Sequence, residues 1–433
     1  MEEASASPLP GGAPRRIAVI GAGVSGLVAA HLLSRHHHVE VFEREPRAGG
    51  HANTVVTTDA LGREVPLDVG FIVYSERTYP GFTRLLRELE VSTRPSEMSF
   101  SVRNDAEDFE FSSRGARGYL ARPRNLLRPS HWRMILDVVR FQRDARRVVA
   151  QDTMHDISFG EYLARRRFGR DFIDRLIVPL TAATWSNAPA DIVRFPANYL
   201  FRFLQQHGVL APNSVPEWRW IEGGARTYVQ RILAGLPEGS VHLGAPVREV
   251  RREDGSVCVS IEGCPPRRFD AVVMACHSDQ ALALLGDADD DERDALGGIR
   301  YAPNHVVLHT DARLLPRREA ARAAWNYQHM DGDSARETLT MTYDLNRLQR
   351  MAGDTHYCVS VNPGDRVDPR TVIAELDYAH PVFSMETLAA QRRLEAGNGR
   401  RNTYFAGAYL GYGFHEDGVQ SAIRVARRLG VDW

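Results

Sequence analysis

The spacing of apolar residues divides the chain into strands and helices. Residues 16–20 (Arg-Ile-Ala-Val-Ile) form a short, β-branched run that suits a strand buried on both faces. Apolar positions at 27–33 continue at helical spacing, and 39–43 (Val-Glu-Val-Phe-Glu) read as a second strand. Further on, 82–89 predicts a helix, while 99–102 and 109–111 alternate like the arms of a hairpin. Trp132, Ile135, Leu136 and Val139 recur at helical spacing and open a helix-rich stretch running through 159–163, 172–180 and 199–207. That stretch is expected to cap a cavity. After Pro212 and Pro216 the pattern gives a helix at 227–234, an antiparallel strand pair at 247–250 and 257–261, and a buried strand at 269–275. Residues 305–310, 338–343 and 356–361 predict most of a second sheet, and the chain finishes as strand 402–407 and helix 420–429. The class is α/β.

Length and charge narrow this further. A chain of 433 residues exceeds the roughly 250–300 at which one core stops growing, so two domains are expected. With 54 basic against 55 acidic residues there is no overall field to gather nucleic acid, which is not an expected partner. Every basic residue is arginine, and the absence of lysine excludes Schiff-base chemistry and a catalytic lysine. Cys258, Cys264, Cys276 and Cys358 show no paired spacing, as expected of buried thiols in a reducing, cytoplasmic setting. Residues 1–14 read as a disordered tail without the cationic and apolar parts of a signal peptide.

The first strand runs directly into Gly21-Ala22-Gly23-Val24-Ser25-Gly26, a helix follows, and the second strand ends on Glu43. Strand, glycines, helix and acid in that order form a dinucleotide fingerprint. Gly21 permits the tight turn, Gly23 lets backbone approach a pyrophosphate, and Gly26 allows helix and strand to close up. Helix N–H groups at Val24 and Ser25 then face the phosphates, and Glu43 accepts from ribose hydroxyls. Just beyond lie Arg44 and the string Arg47-Ala48-Gly49-Gly50-His51, where a second glycine turn and an arginine suit a long dinucleotide, and then Asp68-Val69-Gly70-Phe71-Ile72 and Tyr79-Pro80.

With these motifs the chain resembles the FAD-dependent amine oxidase and phytoene desaturase superfamily. Within it, the sequence is most similar to bacterial flavoproteins described alongside cyclopropane-fatty-acyl synthases. The resemblance implies a Rossmann-like FAD-binding domain (15–78, 215–285 and 400–433) interleaved with an α+β substrate and cap domain (79–214 and 286–399). It places Gly70, Phe71 and Ile72 beside the flavin, the Val247 backbone on adenine, and Gly407 on the ribityl–pyrophosphate side. Gly413, Phe414, His415, Gly418 and Val419 would face the pyrimidine ring, where a helix N-terminus favours the negative charge of a reduced flavin.

Candidate catalytic residues are His415, Tyr412 and Trp185; His415 also suits packing beside a cofactor, and Glu416 and Asp417 suit cap positions. Amine oxidases of the resembled superfamily often hold a lysine–water pair, which this chain cannot supply. Gln206-His207-Gly208 matches a string in the resembled group without an assigned role. No metal site is expected, since consecutive His36, His37 and His38 splay apart. Residues 114–147 carry ten arginines against Asp137 and Asp144, which suits either a solvated cap helix or a peripheral contact with membrane lipid or an acidic ligand. Residues 287–294 read as a solvated acidic turn. The expected activity is FAD-dependent removal of a hydride from a carbon of an apolar or amphipathic molecule such as a fatty-acyl lipid. The alternatives are redox-neutral isomerisation or desaturation of a polyene, amine oxidation, and a turnover-deficient FAD-bound scaffold.

Overall fold

A computed structural model describes residues 13–115, 118, 129–211, 215–329 and 338–433. Nearly all of the 1–14 tail, and Arg117, Arg122, Arg124 and Arg128 of the arginine-rich segment, lie outside the described residues.

Arg16–Ile20 is the middle strand of a five-stranded parallel sheet ordered Val241–His242, His38–Phe42, Arg16–Ile20, Ala271–Met274, Thr403–Phe405. Ile17, Ala18 and Val19 are fully buried, which is why this strand carries no alternating polar residue. Ile17 lies opposite Val39 on one side and Ala271 on the other, so two neighbouring strands near the start of the chain share a register with one far along it. The first helix (Val24–Leu33) and the last (His415–Arg428) pack on this sheet through Leu27, Ala30, Val419 and Ala422.

A seven-stranded sheet is ordered Val372–Val382, Arg300–His309, Cys358–Val361, Met341–Asp344, Trp325–His329, Phe100–Asn104, Phe109–Ser112. The expected hairpin pairs Val102 with Phe111. Its inner arm also runs parallel to Trp325–His329, a strand the apolar pattern does not predict.

Helices form the cap, with two departures from expectation. Pro129–Ala150 is helical, but its predicted apolar stripe faces outward, with Trp132, Leu136 and Val139 at 51%, 70% and 61% exposure. The buried face carries Met134, Asp137, Phe141, Ala145 and Val148. Phe141 sits among Phe159, Phe168, Phe172 and Phe201 at 5.6–6.3 Å between ring centroids. Asp137 is drawn inward because its carboxylate accepts from the Gly169 N–H at 2.8 Å. The second departure lies within 172–180, where a π-helical stretch, Ile173–Ile177, interrupts the expected single helix.

The acidic segment 287–294 is not simply solvated. Arg252, its side chain 1% exposed, donates to Asp287 Oδ1 at 2.7 Å and to both carboxylate oxygens of Glu292 at 2.7 and 2.8 Å. Asp289 caps the helix Asp290–Gly297. Arg252→Met leaves two carboxylates short of their buried cation, and thermal or urea unfolding should show a loss of about 3 kcal/mol.

Candidate active site

The nucleotide end is built from backbone. Gly21 has φ +103°, and a Cβ there would lie 2.9 Å from the Ala275 carbonyl oxygen. At Gly26 a Cβ would lie 1.9 Å from the Gly21 oxygen, while at Gly23 it would meet nothing within 4 Å. Gly21 thus makes the tight turn, Gly26 lets helix and strand close up, and the Gly23 face stays open. The Glu43 carboxylate is held by the Ala22 N–H at 2.7 Å and the Glu45 N–H at 3.0 Å, which leaves lone pairs for a sugar. The Gly49 N–H donates to the Ala22 carbonyl at 2.8 Å, seating the second glycine pair on the fingerprint, and Arg47 donates to the Gly50 carbonyl at 3.0 Å.

The final helix begins against the same turn. A Cβ on Gly418 would come within 2.8 Å of Ser25 Oγ and Val24 Cγ1, so Gly418 and Gly26 serve closeness and do not line the cleft. Val419 is fully buried and does not line the cleft either. Asp417 accepts from the Phe414 N–H at 2.8 Å and caps its own helix. Glu416 caps a different one, accepting from Gly81 and Phe82 at the start of Pro80–Glu88 at 2.9 and 2.8 Å. His415 stacks on Phe71 at 3.7 Å and 8°, and shares a 2.8 Å hydrogen bond with the Tyr228 hydroxyl. Burial pushes its pKa down to about 3, so the ring is neutral at physiological pH.

A cavity of about 1530 Å³ runs from these loops into the cap. Its wall includes Gly21, Gly23, Val24 and Ser25, then Glu43, Arg44, Arg47, Gly49, Gly50 and His51. Gly70, Phe71, Ile72, Val247, Gly407, Gly413, Phe414, His415 and Trp185 line it as well. Tyr412 does not: its ring packs on Tyr199 at 4.5 Å, and its carbonyl accepts from the Trp185 indole at 2.9 Å. Tyr199 and Gln391 hold the Gly411 carbonyl at 2.7 Å each, so the loop before the final helix is pinned from the cap.

The apolar pattern missed a group of rings beside His51. His51 stacks on Tyr378 at 4.6 Å and faces His380 at 5.2 Å and His277 at 6.0 Å; His277 in turn stacks on Tyr301 at 4.4 Å. Burial, reinforced by the neighbouring imidazoles, holds His51 well below the ordinary histidine value, and His380 falls to about 4. His277 had a readable signal, since it follows a parallel strand at its C-terminal end, where open α/β sheets bind ligands. Among the described residues no cluster of three or more His, Cys, Asp or Glu side chains has metal-holding geometry, and no helix is long and apolar enough to cross a membrane.

The sequence profile of flavin containing amine oxidoreductases matches residues 24–366, well over half of the chain. The chain belongs to this family. A Mycobacterium tuberculosis protein that carries the name flavin-containing monoamine oxidase AofH is 29% identical over 265 residues, 56% of this chain and 53% of that one. The match thus spans about half the length of that relative. A CLA-producing fatty acid isomerase from P. acnes has a similar fold, with TM-score 0.67 and 18% identity over 95% of this chain and 98% of that one. Cyclohexylamine oxidase from Brevibacterium oxydans has TM-score 0.67 and 15% identity over 96% and 99%. Such identities establish a shared fold only. FAD is the cofactor of the family, and the residues fit it: an open Gly23 face at a helix N-terminus, a Glu43 carboxylate held for a sugar, and a second helix N-terminus at His415.

Proposed function

We propose that this flavoprotein is an oxidoreductase that removes a hydride from a carbon centre of a neutral apolar or amphipathic molecule, a fatty-acyl chain being the best-fitting class. One observation carries the substrate class. From Tyr79 to Trp218, no described residue lining the cavity carries a formal charge, and the wall there is formed by Phe100, Phe111, Phe141, Leu176, Leu180, Trp185, Phe203 and similar side chains. The charged lining residues Glu43, Arg44, Glu45, Arg47, Arg248 and Asp279 stand on the nucleotide side, and Asp377 is solvent-exposed. A cationic substrate in this lobe would lose its hydration without gaining a counter-charge, which is costly. A diamine is therefore disfavoured, in keeping with the missing lysine.

When bound, FAD supplies the two-electron acceptor. The chain supplies a dry apolar lobe that orients the substrate, and the loop pinned by Trp185, Tyr199 and Gln391 keeps the final helix in place. The proposed location is the cytoplasm, with a peripheral contact at the inner membrane. Exposed Trp132, Leu136 and Val139 beside exposed Arg143 and Arg147 support that contact, since apolar side chains beside arginines suit an anionic lipid surface.

Anaerobic mixing of the purified holoprotein with fatty acids, polyenes, cyclohexylamine and putrescine tests the reading. Persistent bleaching of the flavin by a fatty-acyl compound is expected, with none by putrescine. Bleaching by amines alone would overturn it. Product without net bleaching would assign redox-neutral isomerisation, and inertness to the whole panel would assign a binding protein.

A further inference from the structure

The helical cap contributes one titratable side chain to the described cavity wall, His207. It ends the helix Ala197–Gln206, and its Nδ1 lies 3.0 Å from the Phe203 carbonyl oxygen, which also accepts the His207 backbone N–H at 3.0 Å. A carbonyl oxygen only accepts, so Nδ1 carries the proton and Nε2 of the neutral ring is left as an acceptor. The ring is clamped by stacking on Phe203 at 3.9 Å and 25°. Trp218 lies parallel at 6.5 Å, Phe414 at 6.0 Å and Tyr79 edge-on at 6.5 Å. Burial lowers its pKa to about 4, helped by the positive charge of Arg77 and opposed by the Phe203 hydrogen bond. The result is an imidazole that stays neutral, in one tautomer and one orientation, between the apolar lobe and the segment that opens the final helix.

We infer that His207 is a specificity-determining residue: its Nε2 accepts a hydrogen bond from a hydroxyl, a neutral amine or a protonated carboxyl group on an otherwise apolar substrate. This rests on the reading that the apolar lobe receives the substrate. It adds a polar requirement, because an acceptor set among Phe203, Trp218 and Phe414 is left unpaired by any molecule without a donor. The substrate is therefore amphipathic, a chain or ring with one donor group, and a pure hydrocarbon binds less well.

Two isosteric probes isolate that hydrogen bond, 1-octanol with a donor and heptyl methyl ether without one, titrated into the holoprotein by tryptophan fluorescence. The wild type should bind the alcohol roughly threefold to tenfold more tightly than the ether. The margin should vanish in His207→Leu and survive in His207→Gln, whose amide oxygen reaches the Nε2 position. An equal margin in His207→Leu overturns the role of His207 alone. Failure of both probes to bind the wild type overturns the apolar-lobe reading and this inference with it. Nitrogen-15 histidine spectra of the holoprotein give an independent readout: the signal lost in His207→Gln should belong to a ring protonated on Nδ1, and a proton on Nε2 refutes the assignment.

Discussion

Gly26→Ala should yield a colourless protein. The added methyl would stand 1.9 Å from the Gly21 carbonyl oxygen, 3.0 Å from the Gly21 carbonyl carbon and 3.2 Å from the Ala275 side chain. The two Gly21 atoms belong to the backbone of the tight turn itself, so relief requires the first helix to lift off the sheet. A clash of this kind costs more than about 3 kcal/mol and displaces the helix N-terminal N–H groups proposed to hold the phosphates. The flavin-to-protein absorbance ratio should fall to near zero and the melting temperature should drop. Gly23→Ala supplies the contrast. Its methyl meets no protein atom within 4 Å and its φ of −72° is ordinary, so the apoprotein should keep wild-type stability while flavin affinity falls because the methyl occupies the open approach. If Gly26→Ala kept full flavin, or Gly23→Ala unfolded the protein, the assigned division of labour among the three glycines would be wrong.

These glycines were legible because their task is local: turn, helix start and acid lie within one βαβ unit, and spacing alone carries the message. Features defined by remote partners were not. The apolar period of Pro129–Ala150 identified a helix, but its phase depends on Gly169, which draws Asp137 inward and turns Trp132 and Leu136 out. The acidic run reads as solvated because its buried cation, Arg252, lies on a strand 35 residues before Asp287. Val372–Val382 is not legible as the edge strand of the seven-stranded sheet, since it is mostly half-exposed, alternates poorly and contains Pro381. It also carries Tyr378 and His380, so the ring group around His51 could not be assembled from sequence. The same holds for His207: its string is visible in the sequence, but its tautomer depends on a carbonyl that only the folded helix presents.

Acidification should destabilise the holoprotein steeply between about pH 6.5 and 4. Seven described histidines (His51, His131, His207, His277, His309, His380 and His415) have pKa values lowered chiefly by burial. Above 6.5 they are neutral in both folded and unfolded chains and contribute no pH dependence. Below 6.5 the unfolded chain takes up protons that the folded one refuses, so stability falls as pH falls until each folded value is reached. His309 shows why refusal is firm: its Nδ1 already accepts the Asp311 N–H at 3.0 Å, and its Nε2 is bonded to Ser360 Oγ at 2.8 Å. A shift from 6.5 to about 4 at this fully buried ring corresponds to about 3 kcal/mol. Buried acids act in the opposite direction. Asp68 and Asp417 are raised to about 7, and Glu416 and Asp344 are also raised, all chiefly by burial, so the folded chain holds their protons and loses stability as pH rises towards 7. Seven groups against four leave a net fall on the acid side and a maximum near neutrality. Thermal unfolding at a fixed excess of FAD, stepped from pH 7 to 4.5, reads the slope directly, and His309→Gln should flatten it by one group's share. A pH slope unchanged in His309→Gln, with a wild-type melting temperature that rises on acidification, would mean these imidazoles are protonated in the fold, contrary to the buried, neutral rings on which both the His51 group and the His207 acceptor depend.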